Sequence, residues 1–205
     1  VFLVDKVWVS NYGDGRAYDS VRRSLELLGT DRIDLMLLHQ PYSDYYGAWR
    51  DLERAYGEGL VRAIGVSNFL EGDLQNILNH CEVKPAVDQL LAHIGNTPFE
   101  LAAFCENNDI LVEAYSPIAH GEADKIGAIV KMAERYDVSV AQLCIRYVLQ
   151  LGMVALPKTA NLEHMRSNAD VDFEISAQDM ETLRGVERIS DYGDSSFFPV
   201  FGGKL

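Results

Sequence analysis

Short apolar runs alternate along this chain with longer stretches in which apolar residues recur every third or fourth position. Val4–Ser10 (VDKVWVS) is rich in valine and aromatic side chains, a strand composition. From Gly13 to Leu28 the spacing changes. Ala17, Val21, Leu25 and Leu28 fall on one helical face, and Gly29 follows as a residue suited to the left-handed turn that ends a helix. Ile33–Leu38 (IDLMLL) is apolar almost throughout, as in strands buried on both faces of a parallel sheet. The same reading predicts helices over Tyr46–Tyr56, Asp73–Asn79 and Pro98–Asn107, with strands over Val61–Val66, Ala86–Leu90 and Ile110–Ala114 between and after them. Ile126–Tyr136 and Val140–Leu151 read as two helices parted near Asp137–Ser139, and Val154–Leu156 as a strand. Asn161–Asn168 and Gln178–Val186 close the chain as helices, the second with Ser176 at its N-cap and Asp179 three residues on.

About six strands, each feeding a helix, imply an α/β fold with a parallel sheet and helical crossovers. A doubly wound open sheet and a (β/α)8 barrel both meet that pattern. No GxGxxG follows the first strand, which removes support from the dinucleotide-binding open sheet. A barrel takes eight strands and typically about 250 residues. At 205 residues, starting on Val1 within a strand-like run, the chain reads as a piece of something longer. The chain is about two β–α units short of a barrel. No internal repeat, low-complexity tract or linker interrupts it.

Composition narrows the function. Lys and Arg total 18 against 31 Asp and Glu, a formal charge of −13, with 48% hydrophobic residues. That is enough apolar material for a sizeable core. The acidic balance argues against nucleic acid and anionic membrane as partners, since both need a basic surface. No apolar run approaches the roughly 20 residues of a membrane helix, and no signal-peptide pattern is present. Cys81, Cys105 and Cys144 form no CxxC, so no disulfide framework or zinc ribbon is expected; a reduced, cytoplasmic setting is. The pattern sets no oligomeric state.

Polar residues concentrate where the strands end, the place where a barrel carries its site. They are His39 and Gln40; Ser67 and Asn68; Asp88, Gln89 and then His93; Glu113, Tyr115 and Ser116; Lys158 and Thr159. Each also has a plain structural reading. His39 fits a hydrogen-bonded structural role, Ser67–Asn68 a cap for the next helix, Tyr115 a core aromatic and Lys158 a solvated cation. Lys6 is different, because a lysine inside an apolar strand needs a partner or a function. His39, His93 and Glu113 lack the spacing of a metal site, and no metal is expected.

The segments LLHQPYSDYYGAW, VRAIGVSNF, VKPAVDQ, AYSPIA and LPKTANLEHMRSN follow one another in an order and spacing that resemble the aldo-keto reductases. These are NAD(P)H-dependent carbonyl reductases on a (β/α)8 barrel, so the resemblance implies one partial barrel domain over 1–205, lacking about its first two β–α units. The resemblance runs from Val4 to about Leu183 and is nearest to the bacterial branch that includes diketogluconate-type reductases. It implies that Lys6 and His39 are catalytic, the lysine lowering the pKa of a catalytic tyrosine and the histidine orienting the substrate carbonyl. It assigns Ser67, Asn68 and Gln89 to the nicotinamide carboxamide, Tyr115 to the ring face, and Ser116 and Ile118 to the pyrophosphate. Lys158 and Thr159 match the grip on the 2′-phosphate of NADP(H), and Asn168 an adenine contact.

Departures qualify what the resemblance implies. The tyrosine and its partner aspartate belong before the lysine strand and have no counterpart here; Asp44–Tyr45 and Asp191–Tyr192 stand in the wrong places. Proton transfer contributes about 10²- to 10⁴-fold, so the chain is expected to be an inactive fragment of a working enzyme. His164 stands where many members have an arginine, which favours NADP(H) less firmly and leaves NAD(H) possible. Asp88, Ile94 and Ser167 replace the usual Asn, Pro and Glu. The implied activity is reduction of a small aldehyde or ketone to an alcohol. The alternative is a nucleotide-binding, catalytically inactive regulatory protein. The tail Asp191–Leu205, with Phe197, Phe198 and Phe201, is expected to help form the substrate pocket.

Overall fold

Every apolar run that reads as a strand forms one, and each strand leads into a helix. The computed structural model describes residues 1–13 and 15–197. Its elements in order are β1 (Val4–Val7), α1 (Arg16–Leu28), β2 (Leu35–Leu38), α2 (Tyr45–Gly57), β3 (Ile64–Ser67), α3 (Glu71–Leu78), β4 (Val87–Leu91) and α4 (Phe99–Asn107). There follow β5 (Leu111–Tyr115), α5 (Gly127–Arg135), α6 (Val140–Gln150), β6 (Val154–Leu156), α7 (Leu162–Ala169) and α8 (Ala177–Arg184). Gly29 closes α1 at φ 64°, and Ser176 caps α8 by accepting from the backbone N–H of Asp179, both as the sequence predicts. β1 is shorter than expected: it ends at Val7, and Val9–Asn11 turns as a short 3-10 segment. β3 begins three residues later than expected, although Val61 still makes a single parallel bridge to Ile33.

The chain gathers into two compact units, residues 1–90 with 100–111 and residues 91–99 with 112 onward. In the first, β1, β2, β3 and β4 lie side by side and parallel. Lys6 stands opposite Leu37, Leu37 opposite Gly65, and Ser67 opposite Gln89. Because side chains alternate along a strand, these residues share one face with Leu35 and Val87. Leu35, Leu37 and Val87 form a buried cluster on it. Gly65 is required there, since a Cβ would meet the Val87 carbonyl oxygen at 2.6 Å and a Leu37 methyl at 2.8 Å. The opposite face carries Met36, Leu38, Val66 and Asp88, all fully buried.

Two buried carboxyls of this unit have contrasting surroundings. Glu53 accepts from Trp49 Nε1 and from the backbone N–H groups of Glu82 and Val83, and pairs with Arg50 at 2.9 Å. Neither oxygen of Asp88 has a hydrogen-bond partner among the described residues. Burial pushes its carboxyl well above the usual aspartate value, against the smaller pull of the Phe69 backbone N–H.

In the second unit β5 pairs in parallel with β6, Tyr115 opposite Leu156. Ser139 and Gln142 form a reciprocal cap on α6, and Tyr136 donates to Asp179 on α8. The segment after β5, Ala119–Lys125, is a kinked 3-10 stretch that the apolar pattern does not predict. Cys105 in the first unit and Cys144 in the second are fully buried, and burial lifts each thiol to about 12. All three cysteines are unpaired.

Candidate active site

In the first unit the ends of three strands bring polar groups together. Lys6 Nζ donates to Gln89 Oε1 at 2.5 Å and to Ser67 Oγ at 3.3 Å. Ser67 Oγ donates to the Gln89 carbonyl at 3.1 Å, and Asn68 Nδ2 donates to Ser67 Oγ at 3.2 Å. Ser67 and Gln89 are buried, and Lys6 and Asn68 half-buried. Asn68 sits in the left-handed region at φ 60°, a conformation asparagine tolerates better than bulkier residues. The helix-cap reading of Ser67–Asn68 fails: Leu70 is the N-cap of α3, and Asp73 accepts from its backbone N–H. Lys6 thus meets the demand that a half-buried ammonium finds partners.

His39, just past β2, is half-buried. Burial, then the charge of Lys6, lowers its pKa, so the imidazole is neutral at neutral pH. Trp8 packs edge-on against it, centroids 4.8 Å apart, while remaining exposed. Sequence reasoning missed Trp8; its only signal was a large aromatic two residues beyond Lys6. Tyr12 and Asp44 are both engaged with backbone groups. The Tyr12 hydroxyl donates to the Gln40 carbonyl and accepts from its N–H, and burial pushes the phenol up to about 12. Asp44 caps α2 by accepting from Gly47.

The second unit holds the remaining residues. Tyr115 ends β5, half-buried. Ser116, Ala119 and His120 follow at positive φ, and Ile118 lies among them. Lys158 is exposed; the Thr159 hydroxyl accepts from the Asn161 N–H, and Asn161 caps α7. His164 is exposed on α7 and Asn168 half-buried near its end. His93 belongs to a structural network: Nδ1 lies 2.7 Å from the Ile94 carbonyl and Nε2 2.9 Å from the Tyr192 hydroxyl. Both nitrogens are engaged, and no group of three His, Cys, Asp or Glu among the described residues is placed to hold a metal. Tyr192 is a tail anchor. Phe198 and Phe201, with the Phe197 side chain, lie outside the described residues.

A carboxamide needs both donors and acceptors, and Ser67, Asn68 and Gln89 supply both beside a cation. An ammonium, a hydroxyl and the amide-rich start of α7 suit a phosphate. No helix of the described residues is long and apolar enough to cross a membrane.

Known proteins resemble this chain along most of its length. Residues 1–188 match the aldo/keto reductase family. The chain is 37% identical over 203 residues to the glyoxal reductase of Bacillus subtilis, covering 97% of this chain and 74% of that protein. It is 35% identical over 193 residues to 2,5-diketo-D-gluconic acid reductase B of a Corynebacterium species, covering 92% and 70%. A silkworm aldo-keto reductase solved in complex with NADPH superposes with TM-score 0.88 at 29% identity, covering 96% of this chain and 67% of that one. The fold is therefore the barrel type of the aldo-keto reductases, one of the two architectures that the β–α alternation left open.

Proposed function

This chain belongs to the aldo/keto reductase family, and from that premise we propose that it carries the lysine–histidine and cofactor-binding part of an NAD(P)H-dependent reductase. The reaction is reduction of a small aldehyde or ketone to an alcohol. The observation that carries the reading is the Lys6 ammonium bonded to both Ser67 and Gln89, a cation fixed among amide-binding groups. NADP(H) is the favoured cofactor, through Lys158 and Thr159. Solved relatives hold NADPH or NADP.

When bound, the nicotinamide supplies a hydride to the carbonyl carbon. Ser67, Asn68 and Gln89 would hold its carboxamide, and Tyr115 is the candidate for its ring face. His39, kept neutral, donates one N–H to the carbonyl oxygen and orients it. Lys6 places positive charge where negative charge develops on that oxygen and favours the ionised form of a neighbouring phenol. The acid that completes the alcohol is not Tyr12, held at about 12. Residues 1–205 contain no match to the family's tyrosine. A cytoplasmic location fits the three unpaired cysteines.

The two relatives above are named for dicarbonyl substrates, so glyoxal and 2,5-diketogluconate head the panel on which the full-length protein is assayed for oxidation of NADPH and NADH. Turnover of NADPH supports the reading. Nucleotide binding without turnover of any carbonyl favours the regulatory alternative, and absence of both rejects the proposal. Within it, Lys158→Ala is expected to weaken NADPH binding about tenfold or more and NADH binding little, measured by titration of protein fluorescence. Equal losses for the two cofactors contradict the 2′-phosphate role. His164→Arg is expected to shift preference further toward NADPH.

A further inference from the structure

We propose, resting on that reading, that Asp88 is a positioning residue for the groups that hold the carboxamide. As a neutral acid it leaves the turn through Asn68 closed, and on losing its proton it opens that turn. The pairing of β3 with β4 sets Asp88 opposite Val66 and Gln89 opposite Ser67. The Asp88 and Gln89 side chains therefore leave β4 on opposite faces. The Gln89 carbonyl accepts from the Asn68 N–H at 3.0 Å and from Ser67 Oγ at 3.1 Å, which ties β4 to the turn. Asn68 holds φ 60°, and such backbone persists only where its surroundings hold it. Phe69, next along, is fully buried, its ring edge-on to Tyr45 with centroids 5.3 Å apart. The Leu70 N–H donates to Asp73 at 3.2 Å.

Neither oxygen of the fully buried Asp88 has a hydrogen-bond partner among the described residues. Two charges act on it with opposite signs, Asp73 on α3 and Lys6 on β1. Cys105 on α4 is the third titratable group that faces it, and that thiol stays protonated. A protonated carboxyl tolerates such a setting. A carboxylate does not, because a buried charge without donors is costly. Its relief comes from the Phe69 N–H, the backbone donor that already acts on it, and from water. Both require the segment Asn68–Leu70 to move. The Asn68 N–H bond to Gln89 and the Asn68 Nδ2 bond to Ser67 Oγ then go with it.

The test is the Kd of the full-length protein for NADPH from about pH 5 to 9, read by protein fluorescence, in wild type and in Asp88→Asn, which keeps the shape and cannot ionise. The readout is their ratio, in which titrations of the nucleotide and of other residues cancel. The two are expected to bind alike at the acid end. As pH rises, wild type is expected to weaken relative to the variant by up to about tenfold per pH unit, the limit for one proton. 2′-Phospho-ADP-ribose, which lacks the nicotinamide, is expected to bind both proteins alike at every pH, whereas a general loosening of structure would weaken it too. Asp73→Asn keeps an acceptor for Leu70 and removes a negative charge that opposes ionisation of Asp88. In that variant the weakening is expected to begin at lower pH, which keeps the proposal testable should Asp88→Asn fold poorly. A ratio constant with pH, a parallel loss of the nicotinamide-free fragment, or an unshifted onset in Asp73→Asn overturns the role of Asp88 while leaving the proposed function standing. A wild-type protein that binds no NADPH at any pH overturns both.

Discussion

Replacing Lys6 with methionine is expected to lower turnover by about 10²- to 10⁴-fold, the contribution of proton transfer and its electrostatic support. Methionine has similar length and suits the half-buried stem, so the strand is expected to survive. What vanishes is the charge. Gln89 Oε1 loses its ammonium donor, while Ser67 keeps its own bond to the Gln89 carbonyl. The carboxamide grip therefore loosens without collapsing, and NADPH affinity falls far less than turnover. A second readout is independent of the reaction. Burial is the larger cause of the lowered His39 pKa and Lys6 the smaller. In Lys6→Met the His39 titration, followed by NMR, moves part of the way back toward 6.5. A variant that turns over within about tenfold of wild type, or a His39 titration that does not move, removes the role given to Lys6.

The second large effect concerns stability. Asp88 is fully buried with no hydrogen-bond partner among the described residues, and burial raises its pKa well above 3.8. In the folded protein it stays protonated where the unfolded chain is already ionised. Between 3.8 and the raised folded value the unfolded state binds one proton fewer, so stability falls as pH rises. The slope from this one group is about 1.4 kcal/mol per pH unit. The stabilising contribution is complete below 3.8 and is lost as the pH climbs through the folded pKa. Asp88→Asn keeps the shape and removes the titration. Urea unfolding of wild type and variant at successive pH values is expected to give curves that diverge upward in pH, with the variant the more stable at neutrality. Parallel curves contradict the assignment of Asp88 as a neutral buried acid.

The apolar runs made the fold legible because strands buried on both faces need nearly continuous hydrophobic sequence. Val154–Leu156 was read to the residue, whereas β1 and β3 were misjudged by about three. The valines of Val4–Ser10 favour a strand, but pairing with β2 stops at Val7 opposite Leu38. The kinked stretch Ala119–Lys125 was missed although Gly121, at φ 85°, stands within it; its other left-handed positions, Ala119 and His120, are residue types that give no turn signal. The site was legible mainly through family resemblance. Periodicity alone gave polar residues at strand ends, with no means of pairing Lys6 with Gln89 across 83 positions. Contacts that depend on the tertiary fold, Trp8 on His39 and Tyr192 on His93, could not be read from local sequence. Asp88 stood out only as a substitution, and its cost is visible only once its surroundings are known.

The distribution of thiols gives this chain two internal timers. Cys105 is sealed in one unit and Cys144 in the other, each raised to about 12 by burial, so neither supplies a thiolate while its surroundings stay closed. A disulfide-exchange reagent meets the half-buried Cys81 first. The later modifications then date the exposure of each half separately, and their order reports whether the two open together or one before the other.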